Sequence, residues 1–123
     1  MKYTYIINVL SGPLEGSKFE LKEGVKITIG RDPKNNIIFK GSENNAVSRS
    51  HAFIENNGSD CLITDRSSNG TYINGEKYIN ESISLKDKDI ISFMVNRNDL
   101  SMQVVRSLES NPLREQDKTS ASF

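Results

Sequence analysis

Ala46-Val47-Ser48-Arg49-Ser50-His51-Ala52 sets a hydroxyl, a guanidinium, a second hydroxyl and the chain's only histidine between a polar loop and an apolar run. Two other stretches bear on it. Upstream, Thr28-Ile29-Gly30-Arg31-Asp32 is a β-branched run that stops at a glycine and an arginine. Downstream, Thr64-Asp65-Arg66-Ser67-Ser68-Asn69-Gly70-Thr71-Tyr72-Ile73-Asn74-Gly75 reads as a strand that breaks into a Ser/Asn/Gly loop and then a short hairpin.

Outward from these stretches the chain reads as strands. Tyr3, Tyr5, Ile7 and Val9 share one face of a period-two ribbon that ends at Ser11-Gly12-Pro13. Phe19 and Leu21 alternate with charged residues, and after Glu23-Gly24 the alternation resumes as Val25, Ile27 and Ile29. Arg31 to Asn36 is turn chemistry, Ile37 to Phe39 a very short strand, and Lys40 to Ser50 a long exposed loop of the kind that carries binding residues. His51 to Glu55 and Cys61 to Asp65 flank an Asn56-to-Asp60 turn, and Asn74-Gly75 between β-favouring residues is a strong hairpin signal. Ile83 to Leu85, Asp89 to Val95 and Leu100 to Arg106 bring the total to about ten or eleven short strands, the spacing of a sandwich rather than a parallel α/β sheet.

A chain of 123 residues is one domain's worth and can bury a core without staples. Sixteen basic and sixteen acidic residues cancel, which argues against nucleic acid as partner, since such binders carry a basic surplus. One His and one Cys cannot assemble a Cys/His metal site, so no metal and no cofactor are expected. Cys61, between strand residues, reads as a small hydrophobe. The N-terminus lacks a signal-peptide pattern and no run reaches the length of a membrane span. The expectation is no membrane partner and an intracellular location, cytoplasmic or, in a eukaryotic cell, nuclear.

Gly30-Arg31, then Ser48-Arg49-Ser50-His51 seventeen residues after that arginine, then Asp65-x-Ser67-Ser68-Asn69-Gly70-Thr71-x-x-Asn74-Gly75, together resemble the forkhead-associated (FHA) domain, a phosphothreonine-peptide-binding β-sandwich. The resemblance covers residues 5 to 106. It implies an all-β fold, an FHA/SMAD-like two-sheet β-sandwich of about 11 short, mostly antiparallel strands with the binding loops at one apex. In a simple up-and-down meander the 31 to 36 loop would lie at the opposite end from the other two loops. Only the resemblance, in which strand 37 to 39 does not carry the chain across, brings all three together.

The resemblance implies a phosphorylation-dependent protein–protein interaction module for signalling or regulatory assembly, with a threonine-phosphorylated protein or peptide as partner. A phosphothreonine brings a charge of about −1.5 to −2 and three acceptor oxygens, so its site needs fixed donors and a cation. Arg31 offers a planar fork for phosphate, Ser48 a hydroxyl, and the 48 to 51 backbone further N–H groups. Asn69 has both an amide donor and an acceptor with which to bracket a peptide backbone. In the family the residue before that asparagine, here Ser68, touches the ligand beside the phosphothreonine, and Arg49 holds a position that meets peptide or phosphate. His51 by resemblance braces the loops from beneath. Gly30, Gly70 and Thr71 are expected to support the site's geometry, and Asn74 and Gly75 to serve the hairpin alone.

Two other readings compete. Ser48 or Ser50 with His51 and Asp65 invites a catalytic triad, but no G-x-S-x-G elbow is present and no catalytic residue is assigned. A phosphate-independent adaptor using another face of the sandwich is the other. Residues 1–106 form the expected domain. Residues 107–123, polar and proline-interrupted, read as a flexible tail whose Thr119 offers a self-recognition site if phosphorylated.

Overall fold

The computed structural model describes residues 3–12, 14–39, 47–93 and 100–108. Eleven strands form two sheets, and none of the described residues is helical. The six-stranded sheet runs β2 (Lys18–Leu21), β1 (Tyr3–Ser11), β11 (Ser101–Leu108), β10 (Ile90–Ser92), β7 (Thr71–Ile73), β8 (Glu76–Tyr78). The five-stranded sheet runs β4 (Ile37–Ile38), β3 (Lys26–Gly30), β5 (Ala52–Asn56), β6 (Cys61–Asp65), β9 (Ser82–Leu85). Every pairing is antiparallel except β3 with β4. The sheets are unclosed and pack as the expected β-sandwich.

Period-two alternation places the core. Tyr5, Ile7 and Val9 of β1 face inward with Met102 and Val104 of β11, and meet Ile27, Ile29, Ile54 and Ile63 from the other sheet. The inward phase does not stay apolar to the strand ends. In β5 it runs Ala52, Ile54, Asn56, and in β6 Cys61, Ile63, Asp65, so each strand finishes on a buried polar side chain. Asn56 is thus more than the turn residue expected from sequence: its amide donates to the carbonyls of Tyr3 and Leu21, and its Oδ1 accepts from Gly58 N–H. It sutures the two sheets at the end opposite the loops discussed below.

The parallel pairing of Ile29 with Ile37 and Gly30 with Ile38 decides the topology of the end where β3 finishes. After β3 the chain turns back through 31–36 and runs in the same direction again, so β4 does not carry it across the sandwich. Phe39 after β4 and the approach to β5 therefore lie at the end where β3 finished. Phe39 N–H donates to Gly30 O at 2.9 Å and extends that pairing.

Several expected boundaries shift. Val25 belongs to the turn, its N–H bonded to Lys22 O, and it is 37% exposed rather than an inward strand residue. His51 precedes β5, and β10 ends at Ser92, with Val95 outside the described residues. β11 continues to Leu108, which pairs with Tyr3, so the strand passes the expected boundary at 106. Residues 40–46 of the long loop and 109–123 of the expected tail, Thr119 included, lie outside the described residues. Asn74 does more than turn its hairpin: its side chain bonds Asp89 and Ile90 N–H, tying β7 to the turn before β10.

Burial pushes the Cys61 thiol up to about 12, so the native side chain is neutral and sealed. Ile54→Ala, which empties a wholly buried site on the neighbouring strand β5, is expected to lower the unfolding free energy by about 2–5 kcal/mol. Urea titration measures the loss, and faster labelling of Cys61 by a thiol reagent under native conditions reports the same opening independently.

Candidate functional site

At the end of the sandwich where β3 and β6 finish and β5 begins, three loops meet: 31–36, the 47–51 part of the β4–β5 loop, and 66–70. Backbone joins the first two. Arg31 N–H donates to Ser48 O at 3.1 Å and Asp32 N–H to Arg49 O at 3.3 Å. Asn35, a residue the sequence did not single out, adds its Nδ2, which donates to Asp32 O at 2.9 Å and Arg49 O at 2.8 Å. This approach requires Gly30, because a Cβ there would lie 2.0 Å from Arg49 O.

Arg31 projects from this junction half-buried, its Nε donating to Val47 O. That bond aims the guanidinium and leaves its two terminal nitrogens without an acceptor among the described residues. Ser48 Oγ accepts from Ser68 N–H at 3.1 Å, which links the second loop to the third and leaves the hydroxyl proton to be donated elsewhere. Of the four N–H groups from 48 to 51, Ser48 donates to His51 Nδ1 and His51 to Ile29 O, and those of Arg49 and Ser50 have no acceptor among the described residues. Arg49, Ser68 and Asn69 are exposed around this centre.

Beneath it lies His51, 0% exposed. Its Nδ1 accepts from Ser48 N–H at 3.1 Å, which places the ring proton on Nε2, and Nε2 donates to Gly70 O at 2.9 Å. Phe93 meets the ring edge-on, centroids 5.0 Å apart. Burial holds the imidazole below its ordinary value of 6.5, opposed in part by the Gly70 bond and the Asp65 charge. The imidazole is neutral and already committed at both nitrogens. Neither nitrogen meets a serine hydroxyl, so the triad arrangement is not formed.

The third loop is anchored by Asp65, 2% exposed, whose carboxylate collects donors rather than a cation. Oδ1 accepts from Ser67 Oγ at 2.7 Å and Thr71 Oγ1 at 2.6 Å, and Oδ2 from Asn80 N–H at 2.9 Å and Ser67 N–H at 3.2 Å. Ser67 Oγ in turn accepts from Gly70 N–H at 2.7 Å. The chain then reverses at Gly70 with φ +94, a conformation L-residues rarely adopt. All the site residues read from sequence therefore converge, Gly30, His51, Gly70 and Thr71 as framework. Ser67 and the structural use of Asp65 were missed, although the Asp-x-Ser spacing is itself a local capping pattern that could have revealed them.

Because His51 is held neutral, acid works against the fold. Its folded pKa lies below the unfolded one, so its contribution is fully present above about 6.5 and is lost as pH falls from there through the folded value. Unfolding free energy of the ligand-free chain should decline as pH falls below about 6.5. His51→Ala should cost about 1–3 kcal/mol at neutral pH and flatten that slope. Chemical denaturation across this pH range, run on both proteins, checks both effects.

Comparison with known proteins now bears on this geometry. The FHA domain family profile matches residues 27–94, more than half of the chain and the span that contains all three loops. No curated protein matches the chain. Among solved structures, the FHA domain of the CT664 protein from Chlamydia trachomatis is 26% identical with a TM-score of 0.69, covering 85% of this chain and 99% of that one. The FHA domain of a hypothetical protein from Arabidopsis thaliana is 28% identical with a TM-score of 0.68, covering 90% of each chain. EmbR from Mycobacterium tuberculosis, in complex with a low-affinity phosphopeptide, is 27% identical with a TM-score of 0.63, covering 90% of this chain and 26% of that one. With the family profile and these folds in agreement over the span that builds the three-loop junction, the chain belongs to the FHA domain family.

Proposed function

We propose that this protein is a phosphorylation-dependent protein–protein interaction module that binds phosphothreonine-containing peptides through the three joined loops. The observation that carries the reading is the pairing of an oriented Arg31 guanidinium with a Ser48 hydroxyl whose acceptor side is already taken by Ser68 N–H. A dianionic phosphate supplies the acceptors that these donors lack. A family relative from Mycobacterium tuberculosis is known in complex with a phosphopeptide.

In this reading Arg31 gives two charge-assisted bonds to phosphate oxygens, Ser48 a third, and the N–H groups of Arg49 and Ser50 complete the cradle. Ser68 and Asn69 flank the phosphothreonine, Asn69 bracketing the peptide backbone, and the Arg49 side chain meets peptide or phosphate from the exposed side. The His51–Asp65 framework fixes these donors before the ligand arrives, so little loop ordering is required on binding. No bond is made or broken: the module is a binder, not an enzyme, and needs no cofactor. Its setting is intracellular signalling or regulatory assembly, where threonine phosphorylation switches the partner.

Arg31→Ala should weaken binding of a library-selected phosphothreonine peptide by about 2–5 kcal/mol, the usual cost of removing one partner from a desolvated charge pair. Arg31→Lys should restore part of it, since the charge returns without the fork. Asn69→Ala should weaken a full peptide more than phosphothreonine alone. Affinity should also fall as pH drops below about 6, where the phosphate loses its second charge. Calorimetry reads each of these, and undiminished capture of the partner after phosphatase treatment would favour the phosphate-independent adaptor.

A further inference from the structure

The two sheets present unlike outer faces. On the five-stranded sheet Lys26 stands opposite Glu55, and the cations of Lys26 and Arg66 lie 4.1 and 5.9 Å from the centre of the Phe53 ring. On the six-stranded sheet the adjoining strands β1, β11, β10 and β7 contain one charged residue, Arg106. Its place in the alternation is the inward one, and its guanidinium lies 4.4 Å from the centre of the Tyr3 ring. In a chain that is 26% charged, the outward side of four adjoining strands is where charge belongs, and here it has none.

What that face offers instead is apolar and amide side chains in register. Ile6 stands opposite Val105, Asn8 opposite Gln103, and Gln103 opposite Ile90. All are half-buried by their neighbours alone, and Leu10, at the bulge where β1 shifts register, is 44% exposed. Both sheets are used up in the sandwich, so among the described residues no third layer covers this face. Charge returns at the edge strand β2, where Lys18 opposite Asn8 and Glu20 opposite Ile6 are exposed on the same outward side. The rim thus carries both signs, two residues or about 7 Å apart.

We propose that this face is an interface between two copies of this chain, stacked sheet on sheet about a two-fold axis that crosses the strands at the level of Ile7. Such an axis brings Lys18 of one copy to the level of Glu20 of the other, and the reverse, so one residue pair supplies two ion pairs. A partner of uniform charge would match one of these side chains and repel the other, whereas a second copy matches both. The net charge of zero removes long-range repulsion between the copies. At about 4.8 Å between strands and about 3.3 Å per residue the strands of this sheet offer about 500 Å² per copy, so a pair buries about 1,000 Å², the lower bound of a specific interface. The pairing is therefore reversible rather than permanent. Because the axis reverses strand direction, the two three-loop ends point away from each other and both stay open. The pairing stands without the phosphothreonine reading; with it, the pair joins two phosphorylated chains rather than gripping one.

The test is sedimentation velocity on the full chain, without phosphopeptide, from about 5 to about 500 µM. A monomer–dimer equilibrium with a Kd on the order of 100 µM is expected. Lys18→Glu and Glu20→Lys should each weaken it about tenfold, since each sets like charges opposite one another. An equimolar mixture of these two variants should associate at least as tightly as wild type, because one copy then offers two acids and the other two bases. Val105→Glu should abolish the pair while leaving the urea midpoint of this outward position close to wild type. A chain that is monomeric at every concentration, a pair indifferent to Val105→Glu, or a mixture no tighter than the single variants overturns the proposal. So does a monomer whose Lys18 cross-links to Lys118 of its own chain, which would give the face to residues 109–123.

Discussion

The apex of this molecule depends on one imidazole that cannot choose its partners. His51 has an N–H from Ser48 on one nitrogen and a carbonyl from Gly70 on the other, and its side chain is fully buried. It thereby fixes the separation between two loops that come from different parts of the fold, the entry to β5 and the crossing from β6 to β7. Removing either contact would leave a buried backbone group unpaired, which is costlier than the bond itself is favourable. Ring orientation and tautomer follow from the same two bonds, and burial keeps the ring neutral.

Around it, the buried polar residues are sorted by place. Among the described residues, His51, Asp65, Ser67 and Thr71 are at the loop end and Asn56 is at the other. Between them the inward positions are apolar. Strands of two to nine residues cannot cover their own ends with side-chain burial, and the backbone leaving a sheet needs new partners at that point. Polar side chains placed in the inward phase of the last strand position supply those partners. A carboxylate surrounded by hydroxyl and amide donors, as at Asp65, meets that need without an arginine or lysine partner among the described residues.

Most of this architecture was legible in the residues. Alternation located the strands and their inward faces, and Asn-Gly located the β7–β8 hairpin. Three short motifs in order pointed to the site, whose residues the structure brings together. What periodicity could not supply was the direction of β4. Two residues are too few to carry a phase, and parallel pairing with β3 is a tertiary fact. Val25 was misplaced because it continues an apolar alternation that the turn bond from its N–H to Lys22 overrides. Asn56, Ser67 and Asn35 were passed over for a shared reason: each has a composition typical of a loop, and only burial or a second bond across the chain distinguishes a suture from a turn.

Gly30 shows how narrowly such a site is specified. The donor geometry begins with Arg31 N–H on Ser48 O and Asn35 on Arg49 O, and both need the 47–51 loop to lie directly against the end of β3. A single methyl at position 30 would occupy the space of Arg49 O and sit 2.8 Å from Asn35 Nδ2. Backbone on one side and a bonded amide on the other cannot yield as the tip of a flexible side chain would. The loop would have to withdraw, and with it Val47 O, the group that aims the Arg31 guanidinium. The glycine before the arginine therefore acts on the Arg31 guanidinium through the position of a neighbouring loop, which is why the pair Gly30-Arg31 carries information that either residue alone does not.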